Sequence, residues 1–186
     1  MPPKCKFTRE EILQAALDMT RESGIESVTA RALGERLGAS SRPIFSVFKS
    51  MQEVQNEVLS AAEMLHQEYL QRSMAAGEYP AYKASGMAYI RFAKEETQLF
   101  KLLFMRDRSK EQIEENREQL KPLVELICKD TGLREQDAYT FHLEMWIYVH
   151  GIATMIATSY LEWHWDTISQ MLTDAYFGLK ERYSKK

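Results

Sequence analysis

Apolar residues recur three and four positions apart along almost the whole of this 186-residue chain, and no stretch alternates for long at period two. That spacing returns a side chain to the same face of a helix at every turn, whereas a strand needs alternation, so the chain is predicted to be all-α. Breaks are few: Gly and Pro number only 8 and 5. Hydrophobic residues at 45% and charged residues at 27% suit a folded protein with a substantial core. No run approaches the roughly 18 uncharged apolar residues of a membrane span, and the opening MPPKCKFTREE lacks the apolar middle of a signal peptide. A cytoplasmic protein without a membrane partner is the expectation. Cys5 and Cys128 form no metal-type pair and are read as free thiols.

Start and stop signals divide the pattern into short helices followed by long ones. TREEILQAALDMTRES is capped by Thr8, carries Glu10 and Glu11 at its positive end, and stops at Gly24. Its buried stripe is Ile12, Ala15, Ala16 and Met19, with Leu17 beside it. ARALGERL starts after Thr29 and ends at Gly38. SRPIFSVF is opened by Ser40 or Ser41, with Pro43 tolerated in the first turn, where its missing N–H needs no partner. From residue 51 a helix runs to the break at Gly77 and Pro80. Others are predicted over about 81–94, 96–106, 109–131 (kinked or split at Pro122), 134–160 and 166–183. The predicted organisation is a three-helix head over 1–50 and a larger helical body over 51–186. The net charge is −3, yet residues 1–50 hold 8 Lys+Arg against 6 Asp+Glu, whereas 51–186 hold 16 against 21. A phosphate-facing surface is therefore expected on the head.

The stretch TARALGERLGASSRPIFSVFKSM has the parts of a helix-turn-helix. Gly34 is the small contact, Gly38 the turn, and Leu33, Leu37, Ile44 and Val47 the inward anchors. With ILQAAL, Gly24, VTARALGERLG, ASS, IFSVFKS and a downstream EV in order over residues 8–58, the sequence resembles the TetR family of transcriptional regulators. The resemblance implies a double-stranded DNA operator as partner, a dimer with one DNA-binding head per subunit, and a body responsive to a small-molecule effector. In the head, Ser41, Arg42, Pro43 and Ser46 are expected to face the major groove, with Arg42 able to meet a guanine edge in bidentate fashion. Arg31 is a second base reader by resemblance. Thr29 and Ser40 stand at helix starts suited to phosphate, and Lys49 and Ser50 near the backbone. Phe45 stands where the family usually has tyrosine, Met51 where lysine is usual, and Gly34 where alanine is usual, so two phosphate contacts per subunit are missing from the pattern.

In the body, EMWIYVHGIATMIATSY repeats Trp146, Val149, Ala153 and Ile156 at helical spacing, and Gly151, Ala153 and Ala157 permit close approach by another helix. Trp146, His150 and Gly151 also resemble a W…HG signature of one branch of the family. Together with DTISQMLTDAYFGLKERY, this segment is expected to form the homodimer surface, over about 138–160 and 166–183. Met87, Tyr89, Phe92, Phe100, Phe104, Met105, His142 and Trp146 are candidates to line an effector site for an apolar or aromatic molecule. His142 and His150 lie eight residues apart, roughly 12 Å along a helix axis, too far to share a metal. No phosphate-binding glycine loop, H-E-x-x-H or nucleophile elbow occurs, so neither a cofactor nor an enzyme is expected. The expected function is a DNA-binding regulator, a repressor released by its effector. The alternative is a helical ligand-binding or protein-interaction module with weakened DNA recognition.

Overall fold

The computed structural model describes residues 7–107 and 117–185. Cys5 and the 109–116 part of one expected helix lie outside these residues. Every regular element among the described residues is helical, in the order α1 (Arg9–Ser23), α2 (Ala30–Arg36), α3 (Arg42–Phe45), α4 (Met51–Ala76), α5 (Ala81–Glu95), α6 (Thr97–Phe104), α7 (Arg117–Thr131), α8 (Glu135–Ala157) and α9 (Trp165–Ser184), with a single 3-10 turn at Ile25–Ser27. Contacts divide the chain into two units that do not part at residues 50 and 51. The first takes in the chain up to His66 together with Glu96–Arg106; the second holds Gln67–Glu95 and the chain from Asp107 onward. The head thus includes the first half of α4 and all of α6, because an apolar core built by three short helices needs more helix surface to close it.

In the first unit α1 begins with a complete capping box: Glu11 N donates to Thr8 Oγ1 at 3.2 Å and Thr8 N donates to Glu11 Oε2 at 2.8 Å. Ile12, Ala16 and Met19 are buried on its inner face, with Ala15 and Leu17 at the edge. They meet Val28, Leu33, Ile44, Phe48, Val54 and Val58 in one cluster. Between α2 and α3 the chain turns through Gly38 at φ 65°, with Gly38 N donating to Glu35 O and Ala39 N to Gly34 O at 3.0 and 2.9 Å. These paired bonds satisfy the last carbonyls of α2 and place the left-handed residue where glycine carries no penalty. A Cβ at Gly34 would lie 3.0 Å from the backbone carbon of Ser40, so the turn itself presses on this glycine.

The expected third helix is shorter than its sequence suggested. α3 is one turn, Arg42–Phe45, and Ser41 makes no side-chain cap bond. The chain then tightens into three-residue bonds, Ser46 N to Pro43 O and Val47 N to Ile44 O, before Ser50 opens α4 by accepting from Glu53 N at 3.2 Å. Only five residues separate the end of α3 from α4, and within them Phe48 must turn inward.

In the second unit α5 and α8 pack against each other along most of their lengths, with α7 and α9 completing the core. Val124, Ile127, Ala138, Phe141, Met145 and Tyr183 form one cluster, and the Phe141 ring meets Tyr176 and Tyr183. α7 runs through the exposed Pro122 without a break, so the helix is not split there. The α8 reading also changes. Val149, Ala153 and Ala157 are buried within the unit, so they are not the free face. The open side of α8 is instead Leu143, Ile147, Gly151 and Met155, each four residues from the next.

α8 ends three residues before the expected position, with Ser159 N donating to Ile156 O and Tyr160 N to Met155 O, both at 2.9 Å. This is the same double closure as at Gly38, yet the left-handed residue is Ser159 at φ 54°. Ser159→Gly should therefore raise the unfolding free energy by about 0.5–1 kcal/mol. Gly34→Val should lower it by about 1–3 kcal/mol through the clash with the turn. Urea unfolding of the two variants against wild type measures both.

Candidate nucleic-acid interface

The α2, turn and α3 segment lays its polar residues outward because its apolar anchors, Leu33 and Ile44, point inward and are fully buried. Thr29, Arg31, Ser40, Arg42, Phe45, Ser46, Lys49 and Ser50 are exposed, and Ser41 and Pro43 are half-buried. The side chain of Phe45, 49% exposed, is an uncommon sight for a phenylalanine one turn away from a closed core. Several hydroxyls are already used locally. Thr29 Oγ1 accepts from Ala32 N at 3.2 Å as the cap of α2, Ser46 Oγ donates to Pro43 O at 2.6 Å, and Ser50 caps α4.

Charge on this unit is largely paired. Arg9 reaches from the start of α1 to α4, donating to Glu53 Oε1 at 2.7 Å, to Glu57 and, through Nη1, to Val47 O at 3.1 Å, with its guanidinium 4.2 Å over the Phe48 ring. Glu53, held below the usual carboxylate range by Arg9 and then by the Lys49 amide, accepts that amide at 2.6 Å. Arg21 pairs with Glu96, Arg36 with Glu22, and Arg31 with Glu35. Arg42 and Lys49 carry no ion pair among the described residues. The Arg9 clamp was missed in the sequence because its partners lie 38 to 48 residues away. Glu35 was readable, since it stands one helical turn after Arg31.

The expected effector residues fall into both units. Met87, Phe92 and His142 are buried in the second, where Trp146 is 42% exposed; Phe100 is buried, Phe104 half-buried and Met105 exposed in the first. Two polar rungs join α5 to α8: Tyr82 Oη lies 3.1 Å from His142 Nδ1, and Tyr89 Oη 2.9 Å from His150 Nδ1. Burial lowers the pKa of both imidazoles and raises that of both phenols, so at neutral pH each rung joins a neutral phenol to a neutral ring. Trp146 stacks on His150 at 5.0 Å. An open groove of about 330 Å³ runs between α8 and α9, lined by Glu144, Met145, Tyr148, Asp174, Ala175, Gly178 and Leu179, with none of the expected effector residues among them. Among the described residues no group of three or more His, Cys, Asp or Glu side chains is arranged to hold a metal, and no helix is long and apolar enough to cross a membrane. Cys128 is half-buried and free.

Residues 82–176, just over half of the chain, match a family described as tetracyclin repressor-like, C-terminal domain. Comparison with curated proteins gives no match.

His66, on α4, is 8% exposed and edge-on to Phe104 at 5.2 Å, and burial pulls its pKa from 6.5 to about 4. The unfolded chain therefore binds a proton that the folded chain refuses between these values. The stability contributed by neutral His66 is complete above about pH 6.5 and is lost as pH falls toward 4. At about 1.4 kcal/mol per pH unit the loss is about 3 kcal/mol. Urea titrations at pH 7 and pH 4 should show wild type losing about 3 kcal/mol more than His66→Leu.

Proposed function

Because the chain belongs to the TetR family of transcriptional regulators, we propose that it is a sequence-specific DNA-binding repressor that acts as a homodimer and leaves its operator when a small apolar or aromatic effector binds the body. Regulators of this family are generally not enzymes. The observation that carries the DNA reading is the exposed set on α2, the turn and α3, where Arg42 and Lys49 stand outside the ion pairs that occupy the other head arginines. Arg42 at the start of α3 reads a base edge, Phe45 and Pro43 give apolar contact, and Lys49, Thr29, Ser40 and Ser50 approach the backbone.

The homodimer reading is supported by apolar surface on α8 and α9. Ile147 is 65% exposed and Phe177 59%, and a Cβ at Gly151 or Gly178 would meet nothing beyond its own helix within 4 Å, so both leave room for another backbone. Two-fold symmetry would lay this patch on its own copy. A dimer reading successive major grooves needs recognition segments about 34–36 Å apart, so an effector that shifts that separation weakens both half-sites together. The aromatic and thioether character of Met87, Phe92, Phe100, Phe104, Met105, His142 and Trp146 favours an apolar or aromatic effector.

Gel shift on the DNA upstream of the protein's own gene should show specific retardation at low salt. Arg42→Ala should lose preference for the specific sequence by about 5- to 150-fold. Lys49→Ala should weaken all sequences alike and flatten the salt slope by about 0.9 per subunit. Phe177→Glu should shift the protein toward monomer in sedimentation and cost operator binding with it. Binding that is blind to sequence in the folded wild type would favour the interaction-module alternative.

A further inference from the structure

Six basic side chains lie on the described part of the chain up to His66, and the four that are paired differ in what their pairs do. Arg9 joins α1 to α4, Arg21 joins α1 to Glu96, and Arg36 joins α2 to Glu22 on α1. The Arg31–Glu35 pair joins no two elements. It lies within α2, Nε to Oε1 at 2.9 Å, with the two side chains 89% and 65% exposed. Such a pair contributes little to the fold. Its effect falls on Arg31, which stands among the residues proposed to face DNA.

We infer that Glu35 is a specificity-determining residue of the head, one that keeps Arg31 from phosphates in general and yields it to a base edge. The inference rests on the DNA-binding reading above. An i,i+4 ion pair on an exposed helix is worth about twofold in an equilibrium. A lone phosphate offers Arg31 a contact of the same kind and leaves the Glu35 carboxylate facing the negative charge of the duplex, so on arbitrary sequence the exchange gains little. A guanine presents N7 and O6 to the planar fork of a guanidinium, and such a bidentate contact discriminates by about 5- to 150-fold. The base edge outcompetes the pair where a phosphate does not. Glu35 therefore penalises arbitrary DNA more than the operator.

Glu35→Gln retains the side-chain length and removes the charge. The operator is obtained by selecting tight binders to the wild-type protein from a randomised duplex pool, and a scrambled duplex of the same length is the non-specific probe. For Glu35→Gln the affinity for scrambled duplex should rise several-fold, with the slope of log K against log salt steeper by about 0.9 for each Arg31 recruited, about 1.8 for a dimer. Operator affinity should change by less than the scrambled affinity, so the ratio between them falls. Adding Arg31→Ala to Glu35→Gln should abolish the steepening, because no guanidinium remains to be recruited. An unchanged slope in Glu35→Gln while wild type still prefers its operator overturns the role of Glu35, as does a steepening that survives Arg31→Ala. A folded wild type for which no preferred sequence can be selected overturns the DNA reading and this inference with it.

Discussion

α2 and α3, at seven and four residues, are far too short to hold helical shape by their own hydrogen bonds. Their geometry exists because Leu33, Ile44 and Phe48 are fully buried between α1 and α4. Each such side chain taken from water contributes about 1.5–3 kcal/mol, so the three together outweigh the roughly 4 kcal/mol that nucleating a helical turn costs. The outward display of α3 is a by-product of this inward demand. With Ile44 and Phe48 committed to the core and Val47 packed against it, Arg42, Phe45 and Ser46 are left on the outer side. Arg9 completes the arrangement by tying the carbonyl of Val47 and the carboxylates of Glu53 and Glu57 to the start of α1, so the ends of the short segment are held from both sides.

The second unit is held in register by a different means. Apolar packing between α5 and α8 tolerates small slides, since one aliphatic contact can replace another. The two tyrosine–histidine rungs tolerate none: moving one helix past the other by a residue separates both hydroxyls from both imidazoles at once. Buried polar partners left unmade cost more than made ones return, so the pairs select one alignment even where they add little to total stability.

The helical class, the breaks at Gly24, Gly38 and Gly77, and the anchors Leu33 and Ile44 were legible in the sequence, because local backbone chemistry and spacing decide them. α3 was overestimated since nothing local to SRPIFSVF reports that Phe48 must turn in and α4 must start at once. On α8, residues with helical spacing occur on two faces, and spacing alone does not say which face meets α5. Ala153 and Ala157 went inward, leaving Leu143, Ile147 and Met155 outside. Of the aromatic and thioether residues, Met87, Phe92 and Phe100 are fully buried, and periodicity cannot tell a core side chain from one that lines a site. The family match over 82–176 and the head pattern over 8–58 draw on separate parts of the chain.

The bond from the Lys49 amide to Glu53 has a thermodynamic side. It fixes the backbone of an exposed lysine at the junction of two helices while the ammonium makes no ion pair among the described residues. Ordering a residue costs roughly 1–2 kcal/mol for its backbone and a further part of up to about 2 kcal/mol for a long side chain. At Lys49 folding has already met the first of these, so an anion arriving at the ammonium meets only the second. A charged group on an anchored backbone is in this sense a partly prepaid contact, and it reaches a given affinity with fewer charges than a lysine on a loose arm.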